Sequence, residues 1–193
     1  MNERSVFYKL MKNTSDLLFP PDSYISVVVK LLKAEYKRRS QLRPLLWDST
    51  IELPLDDVYT RLKIVSRRKA DFRVDDNEVN VFDVFRALDK GEDVMTLVEG
   101  SPGIGKTTFC LKLAYDWARQ TVPANSSFPK LQFVLLLKCR DIDKDIMEAI
   151  KEQLLPEDIK EETWTKFSEL IKDVHNQERI LIILDGLDEL PCY

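Results

Sequence analysis

The sequence has little of what builds histidine metal sites, disulfide frameworks or membrane spans. Its 193 residues include one histidine, His175, which has no ligand or catalytic set around it. The three cysteines (Cys110, Cys139 and Cys192) are odd in number and lack metal-ligand spacing, which is typical of reduced thiols in an intracellular protein. The most apolar early stretch, residues 24–32, has about half the length that a membrane-spanning helix needs. Since no signal-peptide pattern begins the chain, we expect a cytoplasmic protein with no membrane partner.

Basic residues do not outnumber acidic ones. The chain has 29 Lys and Arg against 33 Asp and Glu, a formal net charge of −4, which argues against a nucleic-acid partner. Two local basic clusters, residues 30–43 and 61–73, are interpreted as solvated surfaces, and a contact with phosphates or an acidic partner is the alternative. With 44% apolar and 32% charged residues, the composition is ordinary for a folded protein with an apolar core.

Glycine is also scarce, yet three of the five glycines in the chain lie between residues 100 and 105. The run Gly-Ser-Pro-Gly-Ile-Gly-Lys-Thr at 100–107 fits G-x-x-x-x-G-K-[ST], the pattern of a phosphate-binding P-loop or Walker A motif. In such a loop, glycines allow consecutive N–H groups to turn toward an anion. Lys106 would reach the β- and γ-phosphates of a nucleotide, and the Thr107 hydroxyl would ligate Mg²⁺. The predicted nucleotide-binding residues of this loop are Gly100, Ser101, Pro102, Gly103, Ile104, Gly105, Lys106, Thr107 and Thr108.

The segments on either side of this loop have the order that the motif requires. Residues 94–98 are a short apolar run, which predicts a buried strand. Residues 106–120 predict a helix with Phe109, Leu113 and Trp117 on one face. A nucleotide would then meet both the loop amides and the positive end of the helix dipole. The sequence therefore predicts ATP or ADP, together with Mg²⁺, as ligands.

A second part of the same site follows a later strand. Residues 180–184 are apolar and end at Asp185, in the manner of a Walker B strand, and a similar strand is predicted at residues 132–137. Helices predicted between them, at residues 144–155 and 161–174, indicate a parallel sheet covered on both faces. Because ligands bind beyond the carboxyl ends of parallel strands, Asp185 is predicted at the same edge as the P-loop, where it would hold Mg²⁺.

Two further carboxylates follow this aspartate after a Gly-Leu pair. Asp188 or Glu189, with Glu189 preferred, would orient or deprotonate the water that attacks the γ-phosphate. The alternative is a loop carboxylate that simply adds to the affinity for the metal. These two residues are the candidate catalytic groups.

Taken together, the motifs at residues 100–108 and 181–189 resemble those of the NACHT family of signal-transducing P-loop NTPases. A small residue after the Walker B aspartate, followed by paired acidic residues, marks that family. Residues 112–117 resemble the helix that follows its P-loop. The resemblance is to the NOD-like receptor type, and the invertebrate members are the nearest in character.

The resemblance extends to Tyr59-Thr-Arg-Leu62, which is similar to a segment ahead of the NACHT core in animal NOD-like receptors. In those receptors the segment folds over the nucleotide. The resemblance implies that Thr60 contributes to the base pocket and that Tyr59 stacks nearby. An ordinary edge strand over residues 58–65 is the alternative.

These observations predict an α/β fold: a three-layer P-loop NTPase with a parallel sheet, incomplete at the C-terminus and preceded by a mainly helical region. We predict a helical N-terminal region at residues 1–55 and a pre-NACHT segment at 56–93 that contributes to the nucleotide pocket. The N-terminal part of the NACHT domain is predicted at 94–193. Apolar residues at helical spacing from residue 24 onward predict a packing helix in the first region. A loop at 66–78 and a short helix at 79–88 are predicted in the second.

Family members continue past the Walker B motif into a strand that senses the γ-phosphate, a helical lid and a winged-helix domain. Here the sequence stops eight residues after Asp185, at residue 193. In the class of P-loop proteins that the family resembles, the sensor strand lies between the P-loop strand and the Walker B strand. We therefore expect either a fragment of a longer product or a poorly stable chain, since those two strands would leave unpaired backbone groups.

The function that the resemblance implies is a nucleotide-dependent switch in an intracellular receptor of the innate-immune type. ADP would hold a closed state, and ATP with Mg²⁺ would favour an open state that associates with itself or with related receptors. Hydrolysis would be slow at most. The alternatives are a plain P-loop ATPase or kinase in which turnover is the purpose, and a truncated non-enzymatic decoy that binds full-length relatives.

Overall fold

A computed structural model describes residues 23–43, 51–67, 74–79, 95–122, 130–143 and 145–190. The helices in these ranges are α1 (Tyr24–Arg39), α2 (Leu55–Val58), α3 (Lys106–Arg119), α4 (Ile146–Leu154) and α5 (Glu161–Lys172). The strands are β1 (Gln41–Leu42), β2 (Leu53–Pro54), β3 (Ile64–Arg67), β4 (Val74–Val79), β5 (Phe133–Lys138) and β6 (Ile180–Asp185). Short 3₁₀ segments occupy Cys139–Asp141, Val174–Arg179 and Leu187–Glu189.

The central sheet of the described chain consists of two parallel strands. β5 pairs with β6 in register from Phe133 opposite Ile180 to Lys138 opposite Asp185. The five apolar residues of β5 are all buried, as expected for a strand covered on both faces. The parallel pair and the helices α4 and α5 between its strands confirm the predicted α/β character of this part of the chain, with ends that differ by a few residues.

Side chains cover the outer edge of β5. The Tyr36 hydroxyl donates to the carbonyl of Val134 at 2.7 Å and accepts from the N–H of Leu136 at 3.0 Å. At the end of the strand, the Lys138 N–H donates to Oε1 of Gln153 at 2.9 Å, and Nε2 of Gln153 donates to the Lys138 carbonyl at 3.2 Å. These contacts satisfy the backbone groups that a further strand would pair with, so β5 ends the sheet on this side.

Helix α1 belongs to the same core as the sheet. Its apolar residues recur at helical spacing, and Ile25, Val28, Leu32 and Tyr36 are buried against α3, β5 and the two later helices. The helix starts at Ser23, whose side chain accepts a hydrogen bond from the Ser26 N–H at 3.3 Å. The predicted packing helix is thus confirmed, and it contributes to one apolar core together with residues that lie more than 70 positions later in the chain.

The strand that the alternation predicts at residues 58–65 is wrong for residues 58–63 and confirmed only at residues 64 and 65. Residues 55–58 form the short helix α2, residues 59–63 have no regular structure, and β3 begins at Ile64. The two aspartates in the first turn of α2 favour a helix start, and Leu55 is fully buried. The alternating apolar side chains pack on a helix instead: Leu62 and Ile64 contact Phe109 and Leu113 of α3.

The strand predicted at residues 94–98 is also wrong for its described part. Residues 95–98 form no strand, and their apolar side chains are exposed, with Met95 at 94% and Leu97 at 64%. A strand forms by pairing its backbone with a neighbour, and no described strand pairs with this segment.

The pair β3–β4 occupies part of the predicted 66–78 loop. Apart from Val79, which ends β4, the helix predicted at 79–88 lies outside the described residues.

Candidate functional site

The P-loop turns sharply into the start of α3. Gly103 has φ of 75° and Gly105 has φ of 104°, backbone angles that residues with a Cβ rarely adopt. Residues 100–104 are exposed to solvent, and Gly105 and Lys106 are half-buried at the first turn of the helix. The loop therefore presents its backbone to an incoming ligand at a helix N-terminus, which is the arrangement that binds phosphate.

Lys106 lies against its own loop. Its Nζ donates to the carbonyl oxygens of Gly100 at 2.6 Å and Ser101 at 3.3 Å. The ammonium is thus held where the loop closes, and a phosphate at this position would offer it charged oxygens in place of neutral carbonyls.

Thr107 and Asp185 meet although they are 78 residues apart. The Thr107 hydroxyl donates to Oδ1 of Asp185 at 3.1 Å, since the first turn of α3 lies beside the carboxyl end of β6. A hydroxyl and a carboxylate are hard oxygen ligands of the kind that Mg²⁺ takes, with water and phosphate completing its shell. No group of three or more His, Cys, Asp or Glu side chains able to hold a metal is found in the part of the chain that the structure describes. The oxygens of Thr107 and Asp185 fit the few protein ligands that Mg²⁺ takes when a nucleotide supplies the others.

The two candidate catalytic carboxylates lie on a tight turn after β6. Gly186 has φ of 76°, and the Glu189 N–H donates to the Gly186 carbonyl at 2.8 Å. The Glu189 carboxyl group folds back over this glycine, so that a Cβ at residue 186 would stand 3.2 Å from its Cδ atom. Asp188 and Glu189 are both exposed, which leaves them open to a water or a metal.

Two thiols lie beneath this acidic edge. Burial raises the pKa of Cys110 to about 12, and the charge of Asp185 contributes to the increase. The fully buried Cys139 also has a raised pKa, first from burial and then from the charges of Asp185, Glu189 and Asp188. Both thiols are free, in agreement with the expected reduced cysteines; Cys192 lies outside the described residues.

The segment that resembles the pre-NACHT motif lies along α3. The Tyr59 ring is stacked over the Lys112 ammonium, with Nζ 5.8 Å from the ring centroid. The Cδ2 atom of Leu62 lies 3.8 Å from the point where a Cβ on Gly105 would stand. Thr60, between them, is exposed.

Sequence reasoning named Tyr59 and Thr60 and missed Leu62. Leu62 could have been identified as the apolar residue that ends the Tyr59-Thr-Arg-Leu62 motif and is followed by the apolar residue Ile64. These two side chains pack on the outer face of α3, and Leu62 is the residue of the segment that touches the loop.

A separate cleft of about 590 Å³ lies at the other end of α3, and it is lined in part by Lys33, Lys37, Tyr115 and Arg119. Both α1 and α3 end here, so the basic side chains offset the partial negative charge of the helix ends. The cleft is about 20 Å from the P-loop along the helix, at about 1.5 Å per residue, and is therefore not part of the same site.

Comparisons with known proteins agree with these motifs. The model of the NACHT domain family matches residues 94–192, just over half of the chain. NACHT, LRR and PYD domains-containing protein 9 of Bos taurus is 38% identical over 106 residues, which is 54% of this chain and 10% of that protein. NLR family CARD domain-containing protein 4 of Xenopus tropicalis is 26% identical over 155 residues, or 80% of this chain and 14% of that protein. NACHT, LRR and PYD domains-containing protein 10 of Homo sapiens is 31% identical over 100 residues.

The matched part of each relative is short. It amounts to 10%, 14% and 13% of the three proteins, so the chain spans a small fraction of the length of the curated relatives that it matches. Within the ranges that the structure describes, no helix is both long enough and apolar enough to span a bilayer.

Proposed function

We propose that this chain, which belongs to the NACHT domain family, is the ATP- or ADP-binding module of an intracellular receptor of the NOD-like type. The observation that carries the proposal is the contact between Thr107 Oγ1 and Asp185 Oδ1 at 3.1 Å, because it joins the Walker A and Walker B residues at one edge. Residues 94–193 would form the N-terminal part of a three-layer NACHT domain, and residues 56–93 would complete its nucleotide pocket.

In this function the P-loop binds the phosphates and the two flanking oxygens hold the metal. The N–H groups of residues 100–108, to which Pro102 contributes none, would surround the phosphates at the positive end of α3. Lys106 moves its ammonium from the carbonyls of Gly100 and Ser101 to the β- and γ-phosphate oxygens. Thr107 and Asp185 would hold Mg²⁺, which would supply positive charge to offset part of the charge on the phosphates.

Glu189 is the proposed group that orients or deprotonates the attacking water, with Asp188 as the second carboxylate. The left-handed turn at Gly186 returns the chain so that Glu189 faces the end of β6. Both side chains are exposed, so water reaches them freely. A carboxylate that only strengthens metal binding is the other role that this position allows.

Turnover in this proposal is slow and serves a switch. A nucleotide shifts an equilibrium between two states only if it binds one of them more tightly. ADP would favour a closed state and ATP with Mg²⁺ an open one, which associates with further copies or with related receptors. The names of the relatives support a receptor context, because they describe NACHT or NLR proteins with additional LRR, PYD or CARD domains.

The test is a titration of the purified chain with fluorescently labelled ADP and ATP, with and without Mg²⁺. Lys106→Ala should abolish binding, since no other described lysine lies on the loop. Lys166→Ala is the matched control, because Lys166 is an exposed lysine on α5 that pairs only with Glu162 among the described residues. Unchanged ADP affinity in Lys106→Ala would refute the proposal. A steady-state rate of phosphate release typical of metabolic enzymes, above roughly 1 s⁻¹, would contradict the switch and favour a turnover enzyme.

A further inference from the structure

Residues 55–64, hereafter the flanking segment, run antiparallel to α3 from its last turn to the P-loop. Asp56 bonds Arg119 at the end of the helix, Tyr59 lies over Lys112 in the middle, and Leu62 reaches Gly105 at the start. Residues 56–58 are helical and rise about 3 Å, and the extended residues from 58 to 62 add about 13 Å, beside the roughly 21 Å of α3 between Gly105 and Arg119. The segment therefore follows most of the length of α3, and the side chains of Asp56 and Leu62 make the contacts at its two ends.

Lys112 is the residue that joins this segment to the helix at its middle. Its Nζ lies 2.5 Å from Oδ1 of Asp116, one turn along α3, and 3.1 Å from Oδ1 of Asp56 on the segment. The Thr121 hydroxyl donates to the same Asp116 oxygen at 3.1 Å and so fixes that carboxylate. The Lys112 side chain is only 21% exposed, and it lies beneath the Tyr59 ring.

These contacts set the register of the segment against the P-loop. Burial lowers the pKa of Lys112, but the hydrogen bonds and charges of Asp116 and Asp56 outweigh burial and raise it, so the ammonium stays charged at neutral pH. A slip of the segment by one residue would move Leu62 about 3.3 Å along α3. Leu62 would then lose its 3.8 Å approach to Gly105, where the loop turns at φ of 104°.

We infer that Lys112 is a positioning residue for nucleotide binding: it bridges Asp56 and Asp116 and thereby holds Leu62 against Gly105 of the P-loop. The inference rests on the proposed function, and in that function the role of the flanking segment is to hold Leu62 beside the P-loop. Leu62 places an apolar group beside Gly105, where the phosphate-binding loop turns into α3. Lys112 itself touches neither the loop nor the phosphates.

The test compares three variants of the whole chain in ADP titrations. Lys112→Met keeps the length of the side chain and removes the charge, and it should raise the Kd for ADP about two- to fivefold, the range expected for a partly exposed ion pair. Lys112→Arg should restore the wild-type Kd within about twofold. The matched control is Lys166→Met, which breaks an equivalent pair with Glu162, at 2.6 Å and four residues apart, on the remote helix α5.

A second readout separates positioning from general stability. Amide hydrogen exchange at residues 59–64 should rise in Lys112→Met while exchange in β5 and β6 stays at the wild-type level. Asp56→Asn is the second variant: it leaves the Lys112–Asp116 pair within α3 intact and removes the charge of Asp56 that faces both Lys112 and Arg119, so it should produce effects at least as large even if Lys112→Met folds poorly. If ADP binds the wild type and is lost in Lys106→Ala, yet Lys112→Met and Asp56→Asn change neither Kd nor exchange, this inference is overturned alone. If the wild type does not bind ADP, the proposed function fails and the role in nucleotide binding fails with it.

Discussion

The hydroxyl of Tyr36 gives the sharpest test of how this fold is held together. Tyr36→Phe removes one oxygen and leaves the ring that packs edge-on against Trp117. The Val134 carbonyl and the Leu136 N–H then lose their partner in a region where Tyr36 is fully buried. Each buried polar group left without a partner costs about 1–3 kcal/mol, so with two such groups we expect the free energy of unfolding to fall by about 2–6 kcal/mol. Burial raises the pKa of Tyr36, so the phenol remains a donor throughout the neutral range.

The assay is urea unfolding followed by circular dichroism on the wild type, Tyr36→Phe and the control Tyr115→Phe. Tyr115 is a half-buried tyrosine whose hydroxyl, among the described residues, accepts a long bond from Arg119 at 3.4 Å. The control should therefore change the free energy of unfolding by less than about 0.5 kcal/mol. The slope of the transition should stay the same in all three proteins, since the surface exposed on unfolding does not change. A loss below about 0.5 kcal/mol in Tyr36→Phe would refute the account of the β5 edge.

Two further predictions concern the acidic edge. Gly186→Ala should lower the free energy of unfolding by about 1–2 kcal/mol, because residue 186 has a positive φ and the new Cβ would press on Glu189. Thermal unfolding measures this loss, and an unchanged midpoint temperature would contradict the turn at Gly186. The thiol of Cys110 should react with iodoacetamide far more slowly in the native chain than in urea at pH 8, because its folded pKa is about 12. The Cys110 thiol ionises more readily in the unfolded chain than in the folded one. Its contribution to the free energy of unfolding is therefore complete below about pH 9 and falls as the pH rises toward 12. Cys110→Ala should flatten that part of the stability profile, and equal labelling rates in the native and unfolded chain would overturn the assignment.

The P-loop and the strand ending at Asp185 were predictable from sequence because each depends on a short run of consecutive residues. Glycines at fixed positions allow the loop turn, and an uninterrupted apolar run predicts a buried strand; the strand is confirmed, but its predicted burial is wrong, since Ile182 and Leu184 are exposed. The rule that parallel strands present ligands at their carboxyl ends then predicted that Thr107 and Asp185 would share an edge, and the structure places them in contact.

The segments at residues 58–65 and 95–98 were mispredicted for a different reason. Alternation of apolar and polar residues indicates an extended chain with one buried side. An extended chain that packs on a helix shows the same alternation as a strand does. Leu62 and Ile64 use α3 in this way. An apolar run such as 95–98 becomes a strand only if another strand is beside it, which no local pattern reports.

The contacts that organise the rest of the fold depend on long sequence separation. Tyr36 meets Leu136 across 100 residues, and Asp56 meets Arg119 across 63. Their sequence contexts are an amphipathic helix and a short acidic turn, and neither context reveals a partner. Such pairs can be identified only after the elements are placed.

The closed edge of β5 also limits how copies of the chain can associate. With Tyr36 and Gln153 bonded along that edge, the parallel sheet in the described residues has one edge left to extend, that of β6, where Ile182 and Leu184 are 39% and 41% exposed. A protein with two open edges can add copies indefinitely, as fibres do. Because the β5 edge is closed, copies cannot be added there, and growth of this sheet in both directions is blocked.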